Sequence, residues 1–385
     1  MVATMEGAHA VVAVLGAVIV IYVWSSVIRT LVVPRGLRSA LTGVAQKGTI
    51  GLFSLIGGRV RSFEARDRIL AWAAPLSILV TLVFWIVGFV LGYSLLLAGV
   101  SDESVGTDVR EGASALLALT FLGKSRASLT IVDLFAAATG PVVIGLLVGY
   151  LPTLYASYSR RETDVTMLEA RAGEPNWGPE ILARHASIDS LDALDGFFRD
   201  WERWAADISE SHTNYPVLVH VRSARPLRNW LVGMVSVMDA AALNLALAPS
   251  SAPSSARMAV RAGFVCLRDI ATTVNIDFDA DPDPDGEIQL TYDEFLRAVA
   301  RLESTGFPME RTAQEAWPHF RGWRVNYEAI AYVLADRIDA VAAPWTGPRR
   351  RGDAPIPPRT PRNRLPGGGH GPVGSDRPVD PQPER

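Results

Sequence analysis

Residues 101–130 read SDESVGTDVREGASALLALTFLGKSRASLT. Within them, residues 112–122 are apolar and helix-forming, yet number only 11. About 20 apolar residues are needed to cross a bilayer, so this piece is too short to span and long enough to dip in and return. Its neighbours are of the other kind. Residues 69–101 carry no Lys, Arg, Asp or Glu, and residues 131–158 carry one acid, Asp133, near their start. Non-helical backbone at membrane depth is tolerated only where protein or a water-filled cavity surrounds it. A short helix pointing inward, followed by a turn containing Thr and Gly, is therefore the layout of a pore loop.

Working outward, residues 7–28 form a third uncharged apolar stretch. It lacks the basic leader and small-residue cleavage site of a secretory signal and ends in Trp24 and Arg29. The distribution of Lys and Arg orients the chain. None precedes the first stretch. The following loop carries Arg35, Arg38, Lys47, Arg59, Arg61, Arg66 and Arg68 against Glu64 and Asp67. The loop between the second and third stretches is more acidic, with Asp102, Glu103, Asp108 and Glu111 against Arg110, Lys124 and Arg126, and Arg160, Arg161 and Arg171 follow the third. The expectation is an N-terminus outside, a basic loop inside, an acidic loop outside and a cytosolic C-terminal part. Tyr150, Tyr155 and Tyr158 would mark the inner interface. Leu41, Val44, Ile50, Leu52, Phe53 and Ile56 roughly follow helical spacing, which predicts an amphipathic helix on anionic lipid.

Four segments together resemble a known family: ASALLALTFLG (113–123), TGPVVIGLLVGYLPTLYASYSRRE (139–162), LEARAG (168–173) and FFRDWERWAADISESHTNYPVLVHVRS (197–223). They are similar to bacterial potassium-channel-like membrane proteins, in which a pore-loop module precedes a helical cytosolic domain. The resemblance covers about residues 70–345. It implies an outer helix, a pore helix, a filter and an inner helix, repeated in a homotetramer around a path for K+ or another cation. It places the filter at Thr120, Phe121, Leu122 and Gly123, with Lys124 at the outer mouth, and an inner-helix hinge at Gly140 and Pro141. The filter is degenerate. A potassium filter has a second glycine, whereas here Gly123 is followed by Lys124, whose four copies would repel an approaching cation. The alternative is a non-conducting membrane scaffold or sensor whose helical domain binds partners.

From residue 152 to residue 343 the pattern is helical. Ile181, His185, Ile188, Leu191, Leu194, Phe198, Trp201, Trp204 and Ile208 lie on one helical face and predict one long helix. Residues 229–248 are long enough for a fourth span, but Asp239 at their centre would cost about 2.5–3.5 kcal/mol in lipid, which favours a helix buried in protein. Thr291-x-x-Glu294 is a capping box, and a last helix is expected over residues 311–342. Asp281, Asp283, Asp285 and Gly286 begin like a calcium loop, but Tyr292 stands where a bidentate Glu belongs, so an acidic turn is the better reading. Residues 118–125 formally match a phosphate-loop pattern, with Ala118 in place of its first glycine and apolar residues inside.

A net charge of −3 speaks against nucleic-acid binding, and one cysteine with six scattered histidines speaks against a metal centre. No catalytic constellation and no cofactor motif stands out, so an enzyme is not expected. The resulting expectation is an all-α protein of the plasma membrane. It has a first transmembrane helix (1–32), a basic interfacial loop (33–68), a pore module (69–159), a helical cytosolic domain (160–343) and a disordered Pro/Gly/Arg-rich tail (344–385). That makes three spans with a re-entrant pore helix, in contact with membrane lipid.

Overall fold

The computed structural model describes residues 2–33, 39–100, 105–116 and 127–360. These form α1 (Val2–Leu31), α2 (Ala40–Gly57), α3 (Phe63–Leu70), α4 (Ala73–Ala98), α5 (Val105–Leu116), α6 (Ala127–Ala172), α7 (Gly178–Ser187), α8 (Leu194–Asn214), α9 (Trp230–Leu247), α10 (Ser254–Val274), α11 (Tyr292–Glu303), α12 (Ala313–Arg324) and α13 (Glu328–Arg337). Short 3₁₀ turns cover Leu191–Ala193 and Pro216–His220. Among the described residues there is no strand, only an isolated bridge between Glu174 and Arg359. The all-α expectation holds.

Among the described residues four helices are long and apolar enough to cross a membrane, and they fall into two kinds. The windows on α1, α4 and α6 are only 22%, 28% and 22% buried, whereas that on α9 is 94% buried. Val11, Val18 and Ile21 of α1, Leu79, Val83 and Val87 of α4, and Leu134, Ile144 and Val148 of α6 are exposed. Apolar faces of this extent are compatible with embedding in lipid and unlike the surface of a water-soluble domain. α9 is instead packed among α6, α7, α10, α12 and α13. Asn229 caps it, accepting from the amides of Leu231 at 2.9 Å and Val232 at 3.3 Å.

α1 and α4 run antiparallel in close contact, because glycine removes side chains along the seam. A Cβ on Gly99 would meet Ala13, one on Gly16 would meet the backbone of Gly92 and Leu96, and one on Gly88 would meet Val23. The Gly88/Gly92 spacing is thus a packing feature. Pro75 sits in the first turn of α4, where its missing N–H costs nothing, and the helix is separated from α3 at Ala71 and Trp72. α6 runs through Pro141 and Pro152 without interruption, and its 46 residues make it about 69 Å long. Its upper part carries the exposed apolar faces, while Val165, Leu168 and Ala172 enter the core of the C-terminal bundle.

Three expectations for that bundle need correction. The single helix over 181–208 is two, α7 and α8. Asp189 adopts φ 54° between them, a left-handed conformation that Asp tolerates, and the amide of Ser190 returns to the carbonyl of His185 at 2.9 Å. The helix over 311–342 is also two, α12 and α13. Near the break the Asn326 amide donates to the carbonyls of Gly322 (3.1 Å) and Trp323 (3.2 Å), competing with the helical ladder. Residues 344–360, expected to be disordered, are a packed strap. Trp345, Thr346 and Arg349 are buried, and the Arg349 guanidinium donates to the carbonyls of Ala340, Val341, Thr346 and Gly347. The rest of the expected tail, 361–385, lies outside the described residues.

Candidate functional site

α5 is a 12-residue helix lodged between α4 and α6. It begins earlier than the expected 112–122 helix, with Asp108 in its first turn, where a carboxylate complements the helix dipole. Gly112 faces α4, where a Cβ would come within 3.1 Å of Ser94 Oγ. At the other end, the Leu116 carbonyl occupies the notch left by Gly140; any Cβ there would collide with it. Leu116 joins an internal cluster with Val23 and Val27 of α1, Trp85, Phe89 and Tyr93 of α4, and Ala136 and Val143 of α6. Phe89 lies nine residues inside the far end of α4, so α5 descends about 13 Å along it. The Tyr93 hydroxyl lies 2.7 Å from that of Thr139, beside the notch. Gly140 is therefore a packing contact for the end of α5, and Pro141 is accommodated in a continuous helix. The candidate filter residues Thr120, Phe121, Leu122, Gly123 and Lys124 lie outside the described residues.

α2 covers the amphipathic segment expected in the basic loop. It turns Thr42 and Thr49 inward, while Lys47 and Ser54 are exposed. Ser26 lies 2.6 Å from Ser39 and 3.3 Å from Thr42, Thr30 lies 2.9 Å from Thr42, and Trp85 Nε1 donates to Ser26 Oγ at 2.9 Å. Val44, Leu52, Leu55 and Ile56 are exposed on the outer side. Burying hydroxyls while exposing large apolar side chains is the reverse of a helix on a water-soluble core.

The apolar helices meet the C-terminal bundle at a junction that local sequence patterns do not reveal. Ala74 of α4, Leu147, Tyr150 and Leu154 of α6, and Val217 and Leu218 of the second 3₁₀ turn form one cluster. The rings of Tyr150 and Tyr215 meet edge to face, centroids 5.5 Å apart. Below them Arg161 is fully buried. Its Nη1 donates to Leu218 O at 2.9 Å and Nη2 to Val221 O at 2.8 Å, and its Nε lies 2.9 Å from Glu162 Oε1. Nη1 also lies 3.3 Å from His212 Nε2, which must accept, because a guanidinium has only donors. Burial first, and then the Arg161 charge, hold the His212 imidazole well below its ordinary pKa.

Beside this staple, α3 is clamped to the bundle and the strap. Arg66 Nε lies 2.6 Å from Asp339 and Nη2 2.5 Å from Asp353, and Asp67 lies 2.9 Å from Arg222. Arg222 also donates to the carbonyls of Ile338 (3.0 Å) and Asp339 (2.8 Å). Arg66 and Arg161 entered the charge count that oriented the chain, yet both are internal structural cations. Nothing within a few residues of either marks it as paired; their partners are remote in sequence.

The bundle holds a second internal network and a groove. Arg324 on α12 pairs with Asp239 of α9, with Glu328 Oε1 at 2.8 Å, with the Tyr332 hydroxyl at 3.0 Å and with the Trp345 carbonyl at 2.6 Å. Tyr327 donates to Asp239 at 2.7 Å. Burial opposes the Arg324 charge most strongly, but Asp239, Tyr332, Tyr327 and Glu328 together outweigh it and raise the pKa well above its usual value. The groove, about 870 Å³, runs between the lower part of α6 and α8, with Phe197, Trp201 and Trp204 along it. Among the described residues no three His, Cys, Asp or Glu side chains converge as metal ligands. Comparison with known proteins found no family model, curated protein or solved structure that matches this chain.

Proposed function

We propose that the chain is one subunit of a potassium-channel-like membrane pore. In this reading α1, α4 and α6 span the plasma membrane, the N-terminus is outside and the C-terminal bundle is cytosolic. α5 is a re-entrant pore helix. The observation that carries the reading is the lodging of α5 between two long, lipid-compatible helices, its end seated at Gly140 of α6. In this reading the residues that follow it in sequence, Thr120 to Gly123, form the filter. One chain has a single such element and cannot enclose a path, so four copies surround it. The broad exposed apolar side of α6 in the isolated chain suits a neighbouring copy and the path.

The junction gives the bundle a mechanical hold on the pore. Arg161 and the Tyr150–Tyr215 contact tie α6 to the bundle, and Arg66 and Asp67 tie the approach to α4 to the same body. A displacement of the bundle is thereby transmitted to both helices that flank α5.

The sequence Gly123-Lys124 favours a second reading, a scaffold or sensor that retains the pore architecture without conducting. Two unit charges about 8 Å apart at an effective dielectric near 20 repel by roughly 2 kcal/mol, and a cation meets several such terms at a ring of four lysines. Flux through the purified protein in liposomes separates the readings, with K+, Na+ and Cl− compared. A cation pore leaks K+ or Na+, and Lys124→Ser raises the leak more at low salt than at high salt, because screening removes the difference. No flux in either protein leaves the scaffold. A strictly monomeric mass in mild detergent and in native membranes contradicts the pore.

A further inference from the structure

The groove between α6 and α8 has a character that the pore reading does not use. Its aromatic residues Phe197, Trp201 and Trp204 are buried as a floor, while Met167 on the α6 wall is exposed. Four aspartates and three arginines line it, a surplus of one negative charge. The arginines are engaged: Arg160 with Asp207 at 3.3 Å, Arg203 with Asp200 at 3.9 Å, and Arg171 over the Phe197 ring at 5.8 Å. Among the described residues, Asp164 and Asp192 have no ion-pair partner. Free carboxylates in a groove with an aromatic floor suit an arginine or lysine side chain, whose head pairs with the carboxylate while its apolar stem packs on the floor.

A basic segment of the same chain starts beside the groove. The strap ends where Arg359 pairs with Glu174 in the isolated bridge, and Pro358, Arg359 and Thr360 pack against Gly173, two residues past the groove residue Arg171. The next six residues are Pro-Arg-Asn-Arg-Leu-Pro, two cations and no acid. From Gly173 back to Asp164 is nine residues, about 13.5 Å along a helix. Four extended residues beyond Thr360 cover about 13 Å, which brings Arg364 to the level of Asp164.

We propose that residues 361–366 lie in the α6–α8 groove, with Arg362 and Arg364 on its carboxylates and Leu365 against its aromatic floor. The tail then covers the stretch of α6 that joins the apolar region to the bundle, and it does so whether or not the pore conducts. Because it is tethered within about 15 Å, docking needs only modest intrinsic affinity.

Thiol cross-linking on the full-length protein tests this. Asn363→Cys is combined with Met167→Cys in the groove, or with Thr166→Cys, which is exposed, outside the groove lining and about 100° round α6 from Met167. The native Cys266 is buried and stays silent. With a short bifunctional maleimide, the groove pair should cross-link at least five-fold faster than the control pair. Arg362→Ser with Arg364→Ser should abolish the preference, as should 0.5 M salt. Equal rates for the two pairs overturn the proposal. So does a preference that survives loss of both arginines, and so does a product with the mass of two chains, which would place the tail on a neighbouring copy.

Discussion

Arg324 shows what a single buried charge does here. It is fully buried with donors directed at Asp239, Glu328, Tyr332 and the Trp345 carbonyl, so α9, α12, α13 and the strap share one cation. Arg324→Met leaves Asp239 and Glu328 buried without it and should cost about 3–5 kcal/mol of stability, whereas the exposed Arg203→Met should stay within about 0.5 kcal/mol. Denaturant midpoints of the detergent-solubilised full chain, followed by tryptophan fluorescence, report both. His212 makes the same region acid-sensitive. Its pKa is lowered on folding, so below its ordinary value of about 6.5 the unfolded chain binds more protons than the folded one, and stability falls as pH falls. His185 is shifted in the same direction, mainly by burial. Stability should be flat from pH 8 to 7 and decline below about 6.5. In His212→Gln the decline should be shallower; an unchanged slope would remove His212 as its source.

At the scale of elements, glycine distinguishes filled contacts from open ones. Gly140 is occupied by the Leu116 carbonyl, while Gly145 and Gly149, further along the same helix, have nothing within 4 Å of a Cβ placed on them. Gly140→Ala should therefore push α5 off α6 and cost about 1–3 kcal/mol, through overpacking against backbone that has little room to yield. Gly145→Ala should be neutral or slightly stabilising within one chain, since alanine is the better helix former by about 1 kcal/mol. Thermal unfolding of the two variants checks this order, and a larger loss for Gly145→Ala would show that face to be covered in the assembled protein. The helix starts follow simpler rules. Thr291 and Thr312 each accept from the N3 amide at 3.3 Å while Glu294 and Glu315 return the bond. Either Thr→Ala change should cost about 1 kcal/mol. The second box, Thr312-x-x-Glu315, has the same spacing as the first and was equally open to a reading of the sequence.

For the whole molecule, the decisive question is how many helices cross the bilayer. If α1, α4 and α6 cross and α9 does not, a cysteine at exposed Gly106 is labelled from outside intact cells and one at exposed Glu303 only after permeabilisation, with Cys266 a silent background. Outside labelling of Glu303→Cys would revive α9 as a span. The structure argues against that outcome through Asp239: the residue that made the segment awkward for lipid is the one that Arg324 and Tyr327 engage.

What the sequence determined by itself were the features written in neighbouring residues. The apolar stretches became α1, α4 and α6, the spacing of Leu41 to Ile56 became α2, and the segment around Asp239 became α9, a helix buried among other helices. Apolar runs, caps and proline act over one or two turns, so a linear reading recovers them. Tertiary structure alone decided the breaks at Asp189 and Asn326, the notch that Gly140 offers Leu116, and the burial of Arg66 and Arg161. It also decided the order of residues 344–360. Their Pro and Gly content forbids regular helix but not packing, and their hold comes from Trp345, Arg349 and Asp353, the last paired with Arg66 across 287 positions of sequence. An ion pair over that separation depends on where the two segments are carried in space, and no local pattern of residues encodes it.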